Sequence, residues 1–146
     1  MCIRDRIEIV NRMAGTGLEF SVEPVLAIED ILDLRALVNE VYVDEKIKRY
    51  AVDLVHATRE PEAAGLSGMS GLIQYGASPR ASIALCLAAR ALALLSGRSY
   101  VIPADIKTVS FDVLRHRVLV SYEAEAEEMT SSEIIRRIVD LSLIHI

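Results

Sequence analysis

Tyr75-Gly76-Ala77-Ser78-Pro79-Arg80-Ala81 leads into Ser82-Ile83-Ala84-Leu85-Cys86-Leu87-Ala88-Ala89-Arg90-Ala91-Leu92-Ala93-Leu94-Leu95-Ser96, the longest apolar helical stretch of the chain. Ser78 has the character of an N-cap, Pro79 that of a first helical residue, and Arg80 follows in the first turn. Apolar side chains from Ile83 to Leu95 lie around almost the whole circumference, which predicts a central, buried helix over Pro79 to Ser96. Gly97 is suited to the left-handed residue that stops it. The arginine is the irregular part. Aligned peptide dipoles make a helix N-terminus partly positive, so Asp or Glu is the usual charge there and Arg80 works against the field. A guanidinium beside the N–H groups of a helix start makes a good phosphate contact. The alternative is a solvated arginine that pairs with a nearby glutamate.

Working outward, the other segments also read as helices. Glu29 to Val41 spaces Ile31, Leu34, Leu37, Val38 and Val41 on one apolar face, with Glu29, Asp30 and Asp33 near its start. Asp44 caps a second helix running to about Arg59, with Ile47, Tyr50, Ala51, Leu54 and Val55 as its buried stripe. Glu60 to Tyr75 holds Pro61, Gly65, Gly68 and Gly71 and is too broken for regular structure. A connection of that length tends to be functional or mobile. After an extended Tyr100-Val101-Ile102, Pro103 begins a short helix with Asp105 in its first turn. A further core segment runs from Phe111 to about Val120. The acidic stretch Tyr122 to Glu128 reads as solvated surface, and Thr130-Ser131-Ser132-Glu133 caps a terminal helix carrying Ile134, Ile135, Ile138 and Val139. The expected fold class is therefore all-α, a small bundle of about five helices around Pro79 to Ser96.

Composition agrees with packed helices. In 146 residues, 52% are hydrophobic but only 5% aromatic, and tryptophan is absent, so the core is built from Ala, Leu, Ile and Val. A formal net charge of -5 leaves no basic footprint for nucleic acid. Cys2 and Cys86 give no disulfide framework, which points to a cytosolic chain, and His56, His116 and His145 are too scattered for a metal site. No apolar stretch reaches the roughly 18 residues needed to span a bilayer. Met1 to Arg6 and Leu141 to Ile146 resemble translated sequencing or assembly junk. They suggest a gene fragment with false termini, in which residues 1–22 are a foreign start plus linker, 23–140 the domain, and 141–146 a foreign end.

Catalytic patterns are missing. The only Lys-Thr pair, Lys107-Thr108, follows Pro103-Ala104-Asp105-Ile106 without the glycines a phosphate-cradling loop needs. Asp33 and Asp140 lie in helical patterns rather than at the end of a buried strand, and no nucleophile and base can be paired. The chain by itself is not expected to be an enzyme.

Several segments, taken in order and spacing, carry a family likeness. They are Glu23-Pro24-Val25-Leu26, Val43-Asp44, Ala57-Thr58-Arg59, Tyr75 to Ala81, Gly97-Arg98-Ser99-Tyr100-Val101, Pro103-Ala104-Asp105-Ile106-Lys107 and Val113-Leu114-Arg115-His116-Arg117. Over Glu23 to Asp140 the chain resembles the C-terminal helical lid domain of MoxR-type AAA+ ATPases, and Gly-Ala-Ser-Pro-Arg is the most specific piece. The resemblance implies that Arg80 is the sensor 2 residue, reaching the γ-phosphate of ATP held by an adjoining α/β domain, with Tyr75, Gly76, Ser78 and Pro79 as neighbouring nucleotide-binding candidates. It makes Arg59, Arg115, His116 and Arg117 candidate interface residues, although Arg59 as a helix-end charge and the other three as structural pairs need no function. ATP, with Mg2+ held by the missing core, is the implied cofactor, and none is expected for the isolated fragment. Implied partners are the chain's own AAA+ core, further copies in a homo-oligomeric ring expected to be a hexamer, and von Willebrand A-type proteins. Nucleic acid and a membrane span are not expected, and the location is cytoplasmic. The implied role is that of a lid in a chaperone-like maturation or assembly machine, with a magnesium-chelatase-like subunit as a close variant. Where the family commonly has Ser or Thr caps this chain has Ala27 and Ile102, which weakens two helix starts by about 1 kcal/mol each. The competing reading is a stand-alone helical protein-interaction module, or a DNA-binding one, working without nucleotide.

Overall fold

The computed structural model describes residues 3–14 and 23–141. Among them are seven helices and one two-stranded antiparallel sheet. In chain order these are α1 (Ile3–Met13), α2 (Ile28–Glu40), α3 (Glu45–Ala57), β1 (Ile73–Tyr75), α4 (Arg80–Leu95), α5 (Pro103–Leu114), β2 (Leu119–Val120), α6 (Tyr122–Ala126) and α7 (Ser131–Leu141). The all-α class holds, with the small sheet as an addition. α1 lies in the stretch 1–22 that the sequence reading assigns to a foreign start plus linker. The linker residues 15–22 and the tail residues 142–146 lie outside the described residues. The chain divides after Ile31 into two units, the first holding α1 and the opening turn of α2.

Local chemistry sets the helix ends. Asp44 accepts a hydrogen bond from the Lys46 N–H at 2.8 Å, as its cap position predicts. Gly97 has φ +70°, and the Gly97 and Arg98 N–H groups donate to the Leu94 and Ala93 carbonyls, each at 2.9 Å. That pair of bonds closes α4 as a left-handed glycine stop does. Thr130 and Glu133 form the reciprocal box that opens α7, with the Glu133 carboxylate accepting from the Thr130 N–H at 2.7 Å. The two positions lacking Ser or Thr keep half of such a box. Asp30 accepts from the Ala27 N–H at 2.8 Å and Asp105 from the Ile102 N–H at 2.9 Å. The carboxylates thus satisfy the donor at each helix start, and only the side-chain acceptor is lost.

α4 is the packing centre of the bundle, lying chiefly against α5 and then α3. It is not buried all round, which corrects the expectation. Ala81, Leu85, Ala89 and Ala93 form a fully buried stripe, and three alanines there let neighbouring backbones come close. On the opposite side Ile83 is 62% exposed and Leu87 48%. A helix with apolar residues all round shows which faces tolerate burial, whereas α5 and α3 cover one side. The same reasoning corrects α2, where Ile31, Leu34 and Leu37 are exposed and no residue of the helix is buried. Val41, just beyond it, is buried.

The core is completed by Leu54 of α3, Ile106 and Leu114 of α5, and Ile134, Ile135 and Ile138 of α7, each nearly or fully buried. Such side chains stabilise the fold by about 1.5–3 kcal/mol apiece relative to exposure. Two loop expectations change. Residues 60–75 are anchored, since Leu66, Met69 and Leu72 reach the core and Ser70–Leu72 form a 3-10 turn before β1. Pro103 to Leu114 is one continuous helix, so Phe111 belongs to it and only Leu119–Val120 departs as a strand. β1 and β2 pair through Ile73 with Val120 and Tyr75 with Leu119.

Candidate functional site

The segment before α4 is clamped to the end of α3. Gly76 lies so close to that end that an added Cβ would stand 2.3 Å from the Thr58 carbonyl oxygen and 2.8 Å from the Arg59 Cα. Only glycine permits this approach of two backbones. The next residue, Ala77, is fully buried, and its N–H donates to the Thr58 hydroxyl oxygen at 2.9 Å. That hydroxyl in turn donates to the Val55 carbonyl at 2.6 Å. Thr58 is itself fully buried, so its one hydroxyl satisfies a loop donor and a helix-end acceptor together. Tyr75, at the close of β1, is 63% exposed.

From this fixed point the chain turns into α4. Pro79 is already helical at φ -55° and ψ -24°, and the helix starts without a side-chain cap. Ser78 therefore acts through its backbone, its carbonyl accepting from the Ala81 N–H at 2.8 Å, and not through the hydroxyl expected from the sequence. The Pro79 carbonyl takes the Ser82 N–H at 3.1 Å. Two N–H groups of the first turn are thus engaged within the helix start. Ser78, Pro79 and Arg80 are exposed, and among the described residues no carboxylate pairs with Arg80. Arg80, Ile83 and Leu87 share one helix face, opposite the alanine-rich buried stripe.

The far end of α4 carries an interaction that sequence reasoning missed. Arg98 forms a forked pair with Asp105, Nη1 to Oδ2 at 2.8 Å and Nη2 to Oδ1 at 2.6 Å. Asp105 is 4% exposed. The Arg98 guanidinium, helped by the Ile102 amide, holds the Asp105 carboxyl below the usual carboxylate range, and the same bond raises the arginine. A usable signal was available, because Asp105 stands in the first turn of a helix whose Ile102 cap position has no side-chain acceptor, directly after an arginine-bearing link.

The remaining candidates divide. Arg59 is exposed and its Cα lies against Gly76, so the structure brings it to the Tyr75–Arg80 segment. Arg115, His116 and Arg117 cluster after α5. Arg115 pairs with Asp112 at 3.1 Å and its carbonyl accepts from the Ser131 hydroxyl at 3.1 Å. Arg117 bonds the Val113 carbonyl and stands 2.6 Å from His116 Nε2. These contacts stay within the bundle, along α5 and from α7, which favours the structural account of the trio. Burial pushes the Cys86 thiol upward, against the pull of Arg90 and Lys48, which suits a packing residue rather than a nucleophile. Among the described residues no three His, Cys, Asp or Glu side chains come together as metal ligands, and no helix is long and apolar enough to cross a membrane.

Comparison with known proteins gives a consistent answer. Residues 69–138 match the AAA lid domain family. The chain is 39% identical to Chaperone MoxR1 of Mycobacterium tuberculosis over 132 residues, covering 90% of this chain and 34% of that protein. It is 40% identical over 89 residues to Protein MoxR of Paracoccus denitrificans, covering 57% of this chain and 26% of that protein. Its fold matches the crystal structure of a putative ATPase from Cytophaga hutchinsonii with a TM-score of 0.85 and 36% identity, over 96% of this chain and 42% of the other. The chain thus spans about a third of the length of the curated relatives it matches. With the bundle, the Gly-Ala-Ser-Pro-Arg start of α4 and these relatives in agreement, the chain belongs to the MoxR-type AAA+ ATPases and represents their helical lid.

Proposed function

We propose that this lid supplies Arg80 to the phosphates of ATP bound by an α/β domain that precedes it in the whole protein. The observation that carries the reading is an exposed guanidinium without a carboxylate partner among the described residues, at a helix start fixed by the clamp on α3. A free cation held by rigid backbone fits a phosphate better than it fits a structural role. Continuity of Arg80 with the exposed Ile83 and Leu87 supports apposition of this face to the nucleotide-binding domain, which would cover the apolar residues that the lid leaves open. Bound nucleotide would then tie lid to core more tightly when a terminal phosphate is present than after its loss. Mg2+ belongs to the core domain in this scheme.

In the assembled protein we place the lid in a cytoplasmic, ring-forming, chaperone-like ATPase that matures or assembles other proteins, with von Willebrand A-type partners. The name Chaperone MoxR1 of a relative supports the chaperone element of that reading. The test is Arg80→Ala in the protein with its upstream domain restored. Loss of a charge-assisted contact lowers ATP turnover by on the order of ten- to a hundredfold. Wild-type turnover in the variant would exclude the assignment.

A further inference from the structure

We propose that Thr58, which touches no phosphate, is the positioning residue for Arg80 and sets how well the lid tells ATP from ADP. The proposal rests on the sensor reading of Arg80. Its own basis is the clamp. Thr58 is fully buried at the end of α3, and its hydroxyl is the acceptor for the Ala77 N–H at 2.9 Å while donating to the Val55 carbonyl at 2.6 Å. Gly76 adds a steric half, lying flush on the Thr58 carbonyl. Only Ser78 and Pro79 separate Ala77 from Arg80, and proline leaves little torsional freedom between them. A hydroxyl that both donates and accepts is required at this point. Serine retains that capacity, whereas valine, of similar shape, leaves a buried N–H unsatisfied and frees the loop to shift.

The expected consequence is selective. A guanidinium displaced by about an ångström loses much of a directional phosphate contact, which costs up to about a hundredfold in well-aligned sites. The loss falls on the ligand with the terminal phosphate, so ADP binding is spared. A role confined to folding would instead weaken both nucleotides alike.

The experiment uses the protein with its nucleotide-binding domain and measures Kd for ADP and for a non-hydrolysable ATP analogue by calorimetry, alongside thermal melting. Thr58→Val is expected to lower the preference for the ATP analogue by on the order of tenfold. Thr58→Ser should restore it, and in an Arg80→Ala background Thr58→Val should change the preference no further. If Arg80→Ala lowers the preference and folded Thr58→Val does not, the positioning role is overturned while the sensor reading stands. Equal weakening of both nucleotides by Thr58→Val also overturns it. An unchanged preference in Arg80→Ala overturns the sensor reading beneath it. Should Thr58→Val not fold, Thr58→Ala enters the same cycle with the same expected and contrary outcomes.

Discussion

The two ends of α4 each carry an arginine, and the two side chains have opposite surroundings. Arg98, just past the Gly97 stop, is locked by two short bonds to the buried Asp105. Arg80, at the start, has a rigidly held backbone and no carboxylate partner among the described residues. The contrast separates a charge used to fasten the fold from a charge kept available. At the Arg98 end electrostatics supplies the order, so the side chain is satisfied. At the Arg80 end the order comes from backbone packing of Gly76 and Ala77 on Thr58, and the side chain stays exposed.

Three substitutions test that separation through stability. The largest effect is expected from Gly76→Ala, since its new methyl would overlap the Thr58 carbonyl at 2.3 Å and backbone cannot yield as a side chain can. A destabilisation of about 3 kcal/mol is predicted, read from denaturant unfolding. A value near zero would mean that the clamp is loose.

Arg98→Ala comes next, with a melting temperature lowered by roughly 5–10 °C as a buried carboxyl loses its partner. Its pH dependence sharpens the test. The folded Asp105 carboxyl titrates below its unfolded value, so its stabilisation is fully present above about pH 3.9 and is lost as pH falls through the lower folded value. In Arg98→Ala the sign reverses, because protonation then relieves an unpaired buried charge. Melting curves of the two proteins between pH 7 and 3 should therefore converge; parallel curves would contradict the role given to the pair.

Arg80→Ala should be the mildest, within about 0.5 kcal/mol of wild type, even though it is the variant expected to suppress turnover under the proposed function. A marked loss of stability there would move Arg80 into the same class as Arg98.

Much of this architecture was legible in the chain because its signals are local. Asp44, Gly97, Thr130 and Glu133 announce helix ends by chemistry that acts within a few residues, and each takes the predicted position. Cover is a different quantity. The spacing of Ile31, Leu34 and Leu37, or of Ile83 and Leu87, shows which side chains share a face and says nothing about whether another element lies over it. The site was legible only in part for a related reason. Arg80 stood out by conflict with its helix dipole, but the Thr58 hydroxyl meets Ala77 across 19 positions, and the meaning of Gly76 depends on a backbone that is distant in sequence. Ser78 shows the reverse failure, where a residue ideal for capping sits beside a helix that takes only its carbonyl.

The short β1–β2 ladder bears on the order in which the bundle assembles. It is reinforced by the Ser121 hydroxyl on the Gly71 carbonyl at 2.6 Å, across 50 positions of chain. The Thr58–Ala77 bond closes a much shorter loop, and loop-closure entropy rises with the span closed. During synthesis from the N-terminus, the α3–α4 corner therefore has every residue it needs before β2 has been made. The lid can complete the corner that presents its arginine first and zip the strands afterwards, so that corner tolerates late or slow closure of the sheet.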